Sequence, residues 1–181
     1  IGILASYSTW LFLPYLHSDV SPAQAVDMLM RTYLADLNLA GLRLPESDAS
    51  FARLGIDEAA LRAGLLADVQ AADQCLLRMV QVAAKPCYDV LALSCTFETQ
   101  IPAAIALTRR VIAARAGAGQ AAPHVILGGA ACSGDTAGAL CQAFPELTAV
   151  CHCEGERVIV PLAQALRGQR PLSSVPGIAF R

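Results

Sequence analysis

The sequence predicts an α/β fold, an open parallel sheet with flanking helices preceded by a mainly helical segment. Two observations carry this expectation. From residue 88 onward, short apolar runs alternate with glycine or turn residues and then with amphipathic stretches. That order implies right-handed βαβ crossovers. The runs are also apolar throughout instead of alternating, which marks strands buried on both faces.

The elements follow in order. Ser21-Pro22-Ala23-Gln24 is a helix start, with a hydroxyl cap, proline at the first helical position and glutamine at the third. Val26, Leu29, Met30, Tyr33, Leu34 and Leu37 then recur at helical spacing. Gly41 and the Pro45-Glu46-Ser47-Asp48 run break that pattern. Asp57 opens a second long helix, which ends before Lys85-Pro86 because a residue preceding proline avoids the helical region. Residues 88–93 are the first strand and 101–115 an amphipathic helix, closed by a loose loop at 116–120. His124-Val125-Ile126-Leu127 is a second strand running into Gly128-Gly129. A short helix over 136–144, a strand at 148–151 and a helix over 156–167 complete the series, with a weak fourth strand around 175–180. The division expected is a helical segment at 1–86 packing on the sheet, and a sheet domain at 87–181.

Composition narrows the function classes. Of 181 residues, 55% are hydrophobic and 15% charged, with 13 Lys and Arg against 15 Asp and Glu. A chain this apolar is no disordered segment. Its scattered cations make no basic face to track a phosphate backbone, so no nucleic-acid partner is expected. No run reaches the roughly 18 apolar residues of a membrane helix, and the strongest candidate, 10–16, contains Pro14. Seven cysteines, at 75, 87, 95, 132, 141, 151 and 153, show no C-x-x-C spacing. With no secretory signal, they imply reduced thiols and a cytoplasmic location. Apolar neighbours make Cys75 and Cys141 small buried hydrophobes. The chain opens on Ile1, and only three of its strands are convincing where doubly wound domains commonly have five or six. A portion of a longer polypeptide is therefore expected, with the apolar excess covered by a partner, a cofactor or more of the same protein.

Open parallel sheets bind ligands at the carboxyl ends of their strands. Three such ends are visible: Ser94-Cys95-Thr96-Phe97, Gly128-Gly129-Ala130-Ala131 and Cys153-Glu154-Gly155-Glu156. The first offers two hydroxyls and backbone donors that suit a phosphate or an amide. The second removes two side chains, so a flat group can press on bare backbone. The third sets carboxylates at a helix start. Each also has a purely structural explanation: a plain turn or helix cap, a tight strand-to-helix turn, and helix-start electrostatics. No G-x-G-x-x-G, Walker A, G-x-S-x-G or H-E-x-x-H pattern occurs. Cys151-His152-Cys153 is unsuited to chelation, because in a strand 152 faces away from 151 and 153. His124 and His152 read as structural, and Arg109-Arg110 as a solvated helix face.

The run Y-D-V-L-A-L-S-C-T-F at 88–97, with V-I-L-G-G-A-A-C at 125–132, A-F-P at 143–145, C-E-G-E at 153–156 and V-P-G-I-A-F-R at 175–181, carries a resemblance. It resembles the cobalamin-binding domain of cobalamin-dependent radical S-adenosylmethionine enzymes, closest to those that mature ribosomally made peptide natural products. Trp10-Leu11-Phe12-Leu13-Pro14 is similar to a W-L-F-x-P segment of the same family. The resemblance implies a Rossmann-like cobalamin-binding core, with the corrin on the carboxyl edge of the sheet and the nucleotide tail in a slot beside it. Ser94 and Thr96 would hydrogen-bond the tail or its phosphate, Gly128, Gly129 and Ala130 would line the slot, and Thr96-Phe97 and the Glu154-Gly155-Glu156 turn would sit near the corrin rim, with Cys95 in the same site.

Two departures matter. The D-x-H-x-x-G pattern whose histidine ligates cobalt in the methionine-synthase kind of domain is absent, which implies a base-off cofactor with no histidine ligand. The C-x-x-x-C-x-x-C that ligates a four-iron cluster is absent too. The cluster, S-adenosylmethionine and the radical chemistry are therefore expected in a radical domain following residue 181. The function expected is the cobalamin-binding part of a methyltransferase acting on a peptide or other natural product. The alternatives are a nucleotide- or phosphate-binding α/β enzyme domain and a ligand-free interaction domain.

Overall fold

The computed structural model describes residues 11–16, 20–37 and 55–181, with the side chains of 33–37 outside that set. The expectations at Trp10, His17, Gly41 and 45–48, and for the side chains of Tyr33, Leu34 and Leu37, lie outside the described residues. The chain divides into two compact units, 1–77 and 78–181.

In the first unit, helix α1 (Pro22–Leu37) begins where the sequence places it. The Ser21 N–H donates to Gln24 Oε1 at 2.9 Å and the Gln24 N–H to Ser21 Oγ at 3.3 Å, a reciprocal cap that satisfies two otherwise orphaned donors. Val26, Leu29 and Met30 are buried along one stripe. Helix α2 (Glu58–Ala83) is started by Asp57, whose Oδ1 accepts from the Ala59 and Ala60 N–H groups at 3.0 and 3.2 Å. Its buried stripe is Leu65, Val69, Ala72 and Leu76. Arg62 of α2 bridges to Asp27 of α1 at 2.7 Å and to Glu58 at 2.7 Å. Cys75 corrects its sequence reading: the helical period that buries Ala72 and Leu76 turns its thiol outward, and it is exposed.

The second unit is a four-stranded sheet in the order β1 (Val90–Ser94), β2 (His124–Gly128), β3 (Ala149–Cys151), β4 (Ile178–Phe180). The first three strands are parallel, joined by α3 (Ile101–Gly117) and α4 (Thr136–Ala143), and α5 (Gly155–Leu166) follows β3. The fold is therefore α/β with an open, mostly parallel sheet. One expectation is corrected: β4 runs antiparallel, pairing Cys151 with Ile178 and Ala149 with Phe180. Helix α5 carries the chain to the amino edge of the sheet, and segment 167–177 brings it back to the carboxyl end of β3 before β4 begins. Gly177, at φ +75°, makes the turn into that strand.

The two faces of the sheet are covered unequally. Successive crossovers in one direction put α3 and α4 on one face. There Val125, Leu127 and Val150 are fully buried, as are Ile105 and Val111 of α3. The other face carries Ile126, Ala149 and Cys151, packed with Val158 and Leu162 of α5 and with Val175. Val90, Ala92 and Ser94 stand on that second face too, by their register with His124, Ile126 and Gly128, and all three are exposed.

Buried Arg115 locks the amino edge. Its guanidinium donates to the carbonyls of Lys85 at 2.6 Å, Ala121 at 3.1 Å and Tyr88. These carbonyls lie just before β1 and β2, so one buried side chain ties the approaches to both strands together. Arg109 is no free solvated charge: it pairs with Glu146 and lies 5.9 Å from the Phe144 ring centroid. No helix among the described residues is long and apolar enough to cross a membrane.

Candidate ligand-binding cavity

The uncovered part of the second face, together with the strand ends above it, forms a cavity of about 810 Å³. Its floor is Val90 and Ala92 of β1 with Ile126 of β2, and its far wall is Val158, Ile159 and Leu162 of α5. An apolar body with a few polar groups at its mouth is the usual make-up of a small-molecule site, and the size is within the usual range.

Seven of the ten residues singled out from the sequence line this cavity: Ser94, Gly128, Gly129, Ala130, Glu154, Gly155 and Glu156. They converge because β1, β2 and β3 end side by side in parallel, so each following loop begins at the same edge. Cys95, Thr96 and Phe97 are not in the lining. Cys95 is buried, and its backbone ties two loops together. Its N–H donates to the Gly128 carbonyl at 2.7 Å and its carbonyl accepts from the Ala131 N–H at 3.0 Å. The backbone donors of Thr96 and Phe97 are already used, since both donate to Gln100 Oε1, at 2.7 and 3.1 Å. The first loop therefore offers the cavity the Ser94 hydroxyl, not a nest of free N–H groups.

Gly128 and Gly129 both line the cavity, and Gly129 has a further, internal reason to be glycine. Gly129 has φ +98°, and a Cβ there would stand 2.3 Å from the Cys95 carbonyl oxygen. A Cβ on Gly128 would meet Cys151 Cβ at 3.4 Å. The requirement for glycine at 129 thus arises inside the protein, where the second loop crosses the first. Gly155 is the opposite case, since an added Cβ there meets nothing within 4 Å.

Ser133, Cys151 and His152, to which the sequence assigns no site role, also line the cavity, as does Cys153 at the third strand end. The strand ends at Cys151, so the alternation that set His152 apart from Cys153 stops before it reaches either residue. His152 is exposed, its N–H donating to the Gly177 carbonyl at 3.0 Å. Among the described residues no three His, Cys, Asp or Glu side chains are grouped as metal ligands. Burial pushes the Cys151 thiol up, and the Cys95 thiol likewise, so both stay protonated and uncharged at neutral pH.

The charges of the lining are carboxylates. Glu154 precedes α5 and Glu156 stands in its first turn, while no Lys or Arg is in the lining. Arg157 pairs with Glu154 at 3.1 Å on the exposed rim. The positive end of α5, where a nucleotide-binding fold seats a phosphate, is thus attended by the chain's own carboxylates. No protein-family model, curated protein or solved structure matches this chain.

Proposed function

We propose that the second unit binds a cobalamin-type corrinoid at the carboxyl ends of β1, β2 and β3, and serves a methyltransferase acting on a peptide or other natural product. The observation that carries this reading is the cavity itself. An apolar, partly open cleft runs from the strand ends down the sheet face beside α5, where the Rossmann-like resemblance calls for a slot. Its residues suit the group. Val90, Ala92, Ile126 and Leu162 present apolar surface to a flat aromatic base, Ser94 supplies a hydroxyl at the mouth, and Gly128–Ala130 keep the carboxyl edge low. When bound, the corrinoid supplies the cobalt that carries a methyl group; this chain's residues hold it, orient it and keep water from the buried part.

A nucleotide enzyme is less well supported, because no Lys or Arg lines the cavity to pair with the several charges of a di- or triphosphate. A ligand-free interaction domain would have side chains filling the space beside Gly128 and Gly129, and that space is open.

The test is an ultraviolet–visible titration of the protein with hydroxocobalamin beside Ser94→Trp and Gly155→Trp, with circular dichroism on all three. Saturable binding with a base-off spectrum, lost in both folded variants, is the expected result. No spectral change at cofactor concentrations well above micromolar would overturn the reading. Gly129→Leu is unsuitable as a probe of the slot, since the clash with Cys95 would unfold the loop first.

A further inference from the structure

We infer that the apolar depth of this cavity selects a corrinoid by its lower base, taking a benzimidazole in preference to an adenine. This rests on the corrinoid proposal above and adds which of those cofactors the chain's own residues fit.

Polarity is distributed unevenly along the cavity. Its two long sides run in opposite directions, β1 from Val90 to Ser94 at the carboxyl edge and α5 from Gly155 back to Leu166. Every polar or charged side chain in the lining stands at a strand end, in the segment that follows it or in the first turn of α5, as Ser94, Ser133, His152 and Glu156 do. Deeper in, the lining is Val90, Ala92 and Ile126 on the sheet with Ile159, Leu162 and Leu166 on the helix, and none of these side chains has a donor or an acceptor. Backbone groups do not make up the lack, since those of a strand point within the plane of its sheet and those of a helix along its axis. The cleft is open beside β1, where Val90 is 41% exposed, so a flat ring is held by its faces without being sealed in, and the selection is moderate.

The two bases are flat and bicyclic, and they differ on the six-membered ring. Dimethylbenzimidazole carries two methyl groups there, which gain from apolar contact. Adenine carries an amino group and two ring nitrogens there, which lose water and meet no side-chain partner.

The experiment titrates hydroxocobalamin, its adenine-bearing analogue and cobinamide, which has no lower base, into the protein and into Ala92→Ser and Ile159→Gln, following the visible spectrum. Both positions are exposed, and circular dichroism checks that the variants fold. The quantity read is the dissociation constant of the adenine analogue divided by that of cobalamin, and the change of this ratio on substitution. In that change the cost of freeing each base from cobalt cancels. Each variant sets a hydrogen-bonding group in the apolar part, so the ratio should fall about three- to tenfold. Cobinamide affinity should stay within about twofold. A ratio that neither folded variant lowers overturns the selection, and saturable cobalamin binding then leaves the corrinoid proposal standing. An equal loss of all three corrinoids is such a case, since it leaves the ratio unmoved. No binding of any corrinoid overturns both together.

Discussion

The two faces of the sheet are made by the same three parallel strands and differ in what covers them. On one face, α3 and α4 bury Val125, Leu127 and Val150 completely. On the other, α5 covers β3 and part of β2 and leaves Val90, Ala92 and Ser94 of β1 exposed. The first face holds the fold together; the second leaves a cavity. Hydrophobic sequence alone does not separate them, since β1 is as apolar as β2. The difference lies in which helices return over which strands.

The largest effect expected from this contrast is on stability. Leu127→Ala on the closed face should cost about 3–5 kcal/mol, because a fully buried leucine leaves a cavity that close-packed neighbours cannot fill. Val90→Ala on the open face, where the side chain is 41% exposed, should stay within about 0.5 kcal/mol. Urea denaturation of both variants is the measurement, and similar losses would mean that the open face is as tightly packed as the closed one.

The two glycines at the strand ends sharpen the comparison next. Gly129→Ala sets a Cβ against the Cys95 carbonyl in a backbone region that side chains avoid, and should cost on the order of 3 kcal/mol. Gly155→Ala faces open space at the start of a helix and should be neutral or more stable by up to about 1 kcal/mol. Thermal melts rank the pair; a mild Gly129→Ala would show that the crossing of the two loops is looser than the geometry indicates. Below this comes Arg115→Met, which keeps the apolar stem and removes three carbonyl contacts, with an expected loss of about 2–3 kcal/mol in the same denaturation assay.

Much of this was legible in the sequence. The caps at Ser21 and Asp57, the three parallel strands and their intervening helices follow from local chemistry and period. Ser94, Gly128 and Glu154 could be brought to one edge because parallel strands with helical crossovers always end on the same side. What escaped was set by distance in space. Gln100 capturing the Thr96 and Phe97 donors, Gly129 yielding to Cys95, and Arg115 reaching back to Lys85 depend on which loops cross, and no period encodes that. The antiparallel β4 was missed because its direction is decided by the path of 167–177, not by the residues of the strand. His152 and Cys153 lie past the end of β3, so the strand alternation used to separate them does not reach them.

The smallest effect expected concerns the thiols buried against this sheet. Cys132 is fully buried, and its thiol is pushed up to about 11 from an ordinary 9.0, chiefly by burial and then by neighbouring Cys95 and Cys141. Burial also raises Cys95, Cys141 and Cys151. A group whose folded pKa lies above its unfolded value holds its proton longer in the native state. Below pH 9 both states are protonated and the contribution is fully present. Between pH 9 and 11 the unfolded chain loses its protons first, so stability falls. The slope comes from the four buried thiols. Urea midpoints at pH 8 and pH 10.5 should therefore differ, and Cys132→Ala should shrink that difference by on the order of 1 kcal/mol. Cys75→Ala, which removes an exposed thiol, is the control. If the two variants behave alike, the alkaline loss is a property of the whole charge distribution, and the buried thiols have no special part in it.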